Sequence, residues 1–188
     1  MCIRSIVVDH LRTTFESDDD IAVLCIYCNY KEQTEQTVIN LVASLLKQIF
    51  QDSLTSPKSI TSLYSCHKKK STRPTLSEIT MVLESEIMMY SKVFIVIDAL
   101  DECREDNATR AEFLQVLRSL PGNVNLMVTS RELPSIARDF RGKKRLTIRA
   151  NDEDVKRYVR GRIALAPRHL QGLQETIVNK VVEKVQGM

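Results

Sequence analysis

Val93-Phe-Ile-Val-Ile-Asp98-Ala-Leu-Asp-Glu102 is the stretch that decides how this chain folds. Five apolar residues run without interruption and end on a carboxylate, Asp98. Continuous apolar runs suit strands buried on both faces, as in parallel sheets. Ile21-Ala-Val-Leu-Cys-Ile-Tyr-Cys28 is a second such run. Val124-Asn-Leu-Met-Val-Thr129 and Arg145-Leu-Thr-Ile-Arg149 read as two further strands.

Amphipathic segments fall between and around these runs. Residues 2–15 carry Ile3, Ile6, Val7, Leu11 and Phe15 at helical spacing. Thr34–Phe50 carries a stripe of Val38, Leu41, Val42, Leu45, Leu46, Ile49 and Phe50. Residues 51–74 read as polar and irregular. Thr75-Leu-Ser-Glu78 is a capping box that opens a helix running to about Tyr90. Further helices are expected at 109–120, ended by Pro121-Gly122, and near 134–140. Asn151 and Asp154 then cap a helix through Tyr158 and Ile163, and a last one carries Ile177, Val178, Val181 and Val182. Strands alternating with helices predict an α/β fold, a parallel sheet covered by helices, with a helical appendix. The expected division is an α/β domain at 1–150 and the start of a helical subdomain at 151–188.

Composition excludes several classes. The chain has 188 residues, 43% hydrophobic and 27% charged, which is globular. Twenty-seven basic residues against 24 acidic leave a net charge of +3. That is too mild to imply nucleic acid or a membrane surface. No apolar run reaches the roughly 18 residues of a membrane span, and the N-terminus does not read as a signal peptide. The five cysteines, at 2, 25, 28, 66 and 103, are an odd and scattered count. They read as reduced thiols of a cytoplasmic protein. Cys25-x-x-Cys28 with Cys66-His67 has a superficial zinc look, but i and i+3 on a strand face opposite sides, and core burial is the better reading. Lys68-Lys69-Lys70 and Arg141-Gly-Lys-Lys-Arg145 read as solvated loops, with no interleaved aromatics for base stacking.

Chemistry concentrates at two strand ends. The run ending at Asp98 delivers that carboxylate to the C-terminal edge of the sheet, where α/β folds bind ligands. Asp101 and Glu102 follow one turn later. Such a set suits a magnesium–phosphate site, one carboxylate holding the ion's water shell and another orienting the attacking water. The strand at 124–129 ends in Thr129, Ser130 and Arg131, and an arginine there can read a terminal phosphate.

Together these two strand ends resemble a known family. Asp98-Ala-Leu-Asp-Glu102 looks like the extended Walker B motif of NACHT-type signalling NTPases, which belong to the STAND class of P-loop NTPases. Thr129-Ser130-Arg131 looks like their sensor 1. The closer resemblance is to the nephrocystin-like NACHT domains of fungal proteins that continue into ankyrin or WD repeats. Ser5-Ile-Val-Val-Asp-His-Leu11, Leu41-Val-Ala-Ser-Leu-Leu46, Asp154-Val-Lys-Arg-Tyr158 and Ile177-Val-Asn-Lys-Val-Val182 also match that pattern. The resemblance implies a three-layer P-loop NTPase-like sheet. It implies magnesium held through Asp98, water oriented by Asp101 or Glu102, and ATP or GTP contacted by Thr129, Ser130 and Arg131. Such domains hold the triphosphate on Gly-x-x-x-x-Gly-Lys-Ser/Thr, and this sequence contains no such loop. By resemblance that loop and the first strand fall just upstream of Met1. The chain is therefore expected to be a fragment of a cytoplasmic signalling switch, with weak or no nucleotide binding alone. It would act with protein partners or by self-assembly through repeats, without membrane or nucleic acid. The alternatives are a non-catalytic scaffold and a metal-dependent phosphoesterase using Asp98, Asp101 and Glu102.

Overall fold

The computed structural model describes residues 3–52, 57–103, 108–148, 151–165 and 172–185. Contacts divide the chain into two compact units, Met1–Arg141 and Gly142–Met188.

The first unit is an α/β layer structure. Strands β1 (Ile21–Tyr27), β2 (Lys92–Asp98) and β3 (Val124–Val128) form a parallel sheet in the order β1-β2-β3. The register pairs Leu24 with Ile95 and Ile95 with Leu126. Alternation along the strands sorts their side chains between two cores. Ala22, Leu24 and Ile26 of β1 and Val93, Ile95 and Ile97 of β2 face one side. There they meet α2 (Val38–Asp52), α4 (Leu76–Ile87) and α5 (Thr109–Ser119) through Leu45, Ile49, Leu83, Ile87, Phe113 and Leu114. Val23 and Val96 face the other side, against Val8 of α1 (Ile3–Thr14). Cys25 and Cys28 fall on opposite faces, as strand alternation requires.

The two edges of the sheet differ. At β1 the backbone of Cys25 points outward, and the Gln48 side chain of α2 satisfies both of its groups. Cys25 N donates to Gln48 Oε1 and Gln48 Nε2 donates to Cys25 O, each at 2.8 Å. At β3 no further strand is paired among the described residues.

Three expectations need correction. Arg145–Arg149 does not form a strand over residues 145–148, and Arg149 lies outside the described residues. Leu146 and Ile148 are 81% and 61% exposed. Two apolar side chains cannot hold a strand without a neighbour to complete its backbone bonds. Residues 58–70 are not irregular but form α3 (Lys58–Lys70), whose Ile60 and Leu63 pack on the main core. Serines, threonines and lysines mask that helical spacing in the sequence. Helix α2 starts at Val38 rather than Thr34, because a 3-10 turn at Tyr30–Glu32 intervenes and Asn40 N donates to Thr37 Oγ1. The capping box of α4 is present in full, Glu78 N donating to Thr75 Oγ1 and Thr75 N to Glu78 Oε2. Helix α6 (Pro134–Asp139) closes the first unit.

The second unit contains α7 (Asp152–Ala164) and α8 (Gln174–Val185), packed through Val155, Val159, Ile163, Ile177, Val178 and Val182. Asn151 caps α7 by accepting from Glu153 N.

Candidate functional site

Asp98 ends β2 at the C-terminal edge of the sheet and is only 5% exposed. The Thr129 hydroxyl, one residue past β3, donates to Asp98 Oδ1 at 2.5 Å and accepts from Ala99 N at 3.0 Å. Backbone bonds continue the pairing beyond the strands, Thr129 N to Ile97 O and Leu100 N to Thr129 O, both 2.9 Å. Ala99 then takes a left-handed conformation (φ 55°, ψ 48°) that turns the chain back. This is costly for a residue with a Cβ, and the Thr129 bonds on either side hold it there. A 3-10 turn, Leu100–Glu102, follows, anchored by the buried side chains of Leu100 and Cys103.

That turn points its two carboxylates at different partners. Asp101 Oδ1 accepts from Arg131 N at 3.0 Å and Oδ2 accepts from Arg131 Nε at 2.6 Å. The Asp101 side chain is 3% exposed and that of Arg131 is 79% exposed. Burial alone would raise the Asp101 carboxyl. The Arg131 hydrogen bonds and charge outweigh burial, and the carboxyl lies below its usual value. Donating to the Asp101 carboxylate pushes the Arg131 guanidinium up in turn. Glu102 faces the β1–α2 connection: its Oε2 accepts from Tyr30 N at 3.1 Å and its carbonyl from Gln33 Nε2 at 3.0 Å.

Ala99, Asp101, Glu102, Thr129, Ser130 and Arg131 line one open groove of about 380 Å³. All six residues singled out from sequence therefore gather at one sheet edge, five of them in the groove wall and Asp98 directly beneath, bonded to Thr129. The sequence reading missed the support. Asn29 N donates to Gln36 Oε1 at 3.2 Å, and Cys28 N donates to Asp98 O at 3.0 Å. The Cys103 thiol, hydrogen-bonded to Cys28, and burial push the Cys28 thiol far above its ordinary value, so it stays protonated and inert. Only the place of Cys103, directly after Asp101-Glu102, hinted at this.

A carboxylate and a hydroxyl are oxygen donors of the kind magnesium takes. Among the described residues no group of three or more His, Cys, Asp or Glu comes together to hold a metal. The donors present fit an ion that draws most of its ligands from water and phosphate, as magnesium does at nucleotide sites.

The family model described as Nephrocystin 3, N-terminal, matches residues 2–131. The chain belongs to the nephrocystin 3 N-terminal family. The match begins ahead of α1 and ends on Arg131, so the whole groove lies inside the nephrocystin-like region. Comparison with the curated proteins and with the solved structures found no match. Among the described residues of this nephrocystin-like chain, no helix is long and apolar enough to cross a membrane.

Proposed function

We propose that this nephrocystin-like domain is the magnesium- and γ-phosphate-facing part of a NACHT-type, STAND-class nucleotide switch using ATP or GTP. The observation that carries the reading is the pairing of two strand ends. Asp98 is held by Thr129, and Asp101 by Arg131, at the edge of a parallel sheet where phosphate ligands bind. Asp98 would hold the magnesium ion through its water shell, and the ion would neutralise phosphate charge when bound. Glu102 or Asp101 would orient water, and Thr129, Ser130 and Arg131 would contact the nucleotide. Cys25, Cys28, Cys66 and Cys103 are thiols rather than disulfides, which suits a cytoplasmic setting.

A second reading, a non-catalytic scaffold, draws on the fact that each carboxylate already has a protein partner: Thr129 for Asp98, Arg131 for Asp101 and Tyr30 N for Glu102. Titration with labelled ATP and magnesium separates the two. Without a phosphate-cradling loop, the chain as given should bind weakly or not at all. Supplying a strand and Gly-x-x-x-x-Gly-Lys-Thr loop ahead of Met1 should create binding that Asp98→Asn abolishes. A supplied loop that creates no binding refutes the switch and leaves the scaffold. Low-micromolar binding by the chain as given refutes the assignment of the cradle.

A further inference from the structure

Two places in the chain put a hydroxyl shortly after a pair of cations. Lys68-Lys69-Lys70 precedes Ser71 and Thr72, and Lys144-Arg145-Leu146 precedes Thr147. Cations three and two residues ahead of a serine or threonine suit a protein kinase whose substrate cleft is lined with carboxylates. Charge pairing there fixes which hydroxyl reaches the nucleotide.

Backbone conformation separates the two places. A kinase cleft grips side chains on both sides of the acceptor while the hydroxyl lines up with the γ-phosphate, which requires extended chain. Lys68–Lys70 instead form the last turn of α3. Ser71 N donates to Lys68 O at 3.3 Å and Thr72 N to His67 O at 3.1 Å, closing that turn. The Thr72 hydroxyl is itself hydrogen-bonded to His67 Nδ1 at 2.8 Å. Residues 143–148, by contrast, form neither helix nor strand, and every residue from Arg141 to Ile148 is exposed.

The apolar neighbours favour the same choice. Leu146 and Ile148 flank Thr147, stand exposed, and take no part in the α7–α8 core. Ile148 directly follows the acceptor, where an apolar side chain can fill a pocket beside the cleft. Ser71 is followed there by Thr72, and Thr72 by Arg73.

We propose that Thr147 is a phosphorylation site for a protein kinase that reads Lys144 and Arg145 through carboxylates and Ile148 through an apolar pocket. The Thr147 hydroxyl oxygen bonds to the γ-phosphorus of a nucleoside triphosphate as the bond from that phosphorus to its bridging oxygen breaks. The hydroxyl proton passes to a carboxylate of the kinase, and the nucleoside diphosphate leaves. The phosphate brings a charge of about −1.5 to −2 into a stretch, residues 141–151, that holds five cations and no carboxylate. Charge-assisted hydrogen bonds draw the flanking cations onto it. Thr147 lies beyond residues 2–131 and outside the groove, so the site does not depend on the nucleotide reading.

The test incubates the whole chain with ATP, magnesium and the catalytic subunit of cyclic-AMP-dependent protein kinase, and locates phosphate by peptide mass spectrometry. Thr147 should take up phosphate before Ser71 or Thr72. Thr147→Ala should abolish the fast incorporation, and Thr147→Ser should keep it. Lys144→Ala/Arg145→Ala should lower kcat/KM by about tenfold or more, since two charged contacts with the cleft are lost. Ser71→Ala/Thr72→Ala should leave it unchanged. A synthetic peptide of residues 141–151 carries the Thr147, Lys144 and Arg145 substitutions with no need to fold. Earlier modification of Ser71 or Thr72 overturns the proposal, because charge spacing alone then selects the acceptor. Phosphate on the peptide but not on the whole chain also overturns it, because the segment is then shielded in the protein. Equal rates with and without Lys144 and Arg145 overturn the role given to the two cations.

Discussion

Replacing Thr129 with Val keeps the side-chain shape and removes one oxygen. That oxygen donates to Asp98 Oδ1 at 2.5 Å and accepts from Ala99 N at 3.0 Å. Asp98 is buried, so water cannot readily replace the lost donor. A hydrogen bond to a charged group contributes about 1.5–3 kcal/mol, and leaving a buried N–H unsatisfied costs about 1–3 kcal/mol. Thr129→Val should therefore destabilise the chain by about 3–5 kcal/mol, a large part of a total of about 5–15 kcal/mol. Thr129→Ser keeps both bonds and loses a methyl group, for a cost of about 1 kcal/mol. Urea unfolding by circular dichroism measures both, with an unchanged slope showing that stability alone has moved. If Val costs no more than Ser, the hydroxyl bridge does not hold the site, and the account of Ala99 fails with it.

Ala99→Gly should stabilise the chain by about 0.4–1 kcal/mol, because glycine takes the left-handed conformation without strain; a loss in the same urea experiment would show that the Ala99 methyl packs usefully. Pairing with Arg131 lowers the Asp101 carboxyl, so its stabilisation is present above the unfolded-chain value of about 3.9 and is lost as pH falls through the lower folded-state value. The stability gap between wild type and Arg131→Gln should accordingly be full at neutral pH and shrink below about pH 4; a gap unchanged down to pH values near 2 would exclude the ion pair as its source. Thr75→Ala should cost about 1 kcal/mol by opening the α4 capping box, and Thr75→Ser should restore most of it. Equal losses from Ala and Ser would mean that the hydroxyl is not the capping group.

The sheet was legible because β1 and β2 are buried on both faces, and such strands are written as unbroken apolar runs. The site was legible for a related reason: a strand end fixes where the next side chains go, so Asp98 and Thr129 had to arrive at one edge. What lay beyond reading were contacts set by distance in space. Nothing near Glu102 in sequence announces Tyr30, 72 residues earlier, as its partner. Nothing near Arg131 announces that Asp101 holds it. Helix α3 was hidden because only Ile60, Leu63 and His67 mark its inner face, and hydroxyl side chains are poor helix signals. The segment at 145–148 misled in the other direction, since alternation is necessary for a strand but cannot supply the neighbour.

Gln48 occupies the outer rim of β1 as a two-pronged plug. Its amide presents one acceptor and one donor to Cys25, the same pair that an adjacent strand would present. An incoming peptide would have to expel that amide before it could pair there. Among the described residues no strand pairs with the opposite rim, and residues 122–129 carry no charge to repel one. The sheet is therefore one-sided as a template. Lengthening it at β1 means dislodging a helix side chain, whereas at β3 no strand among the described residues stands in the way.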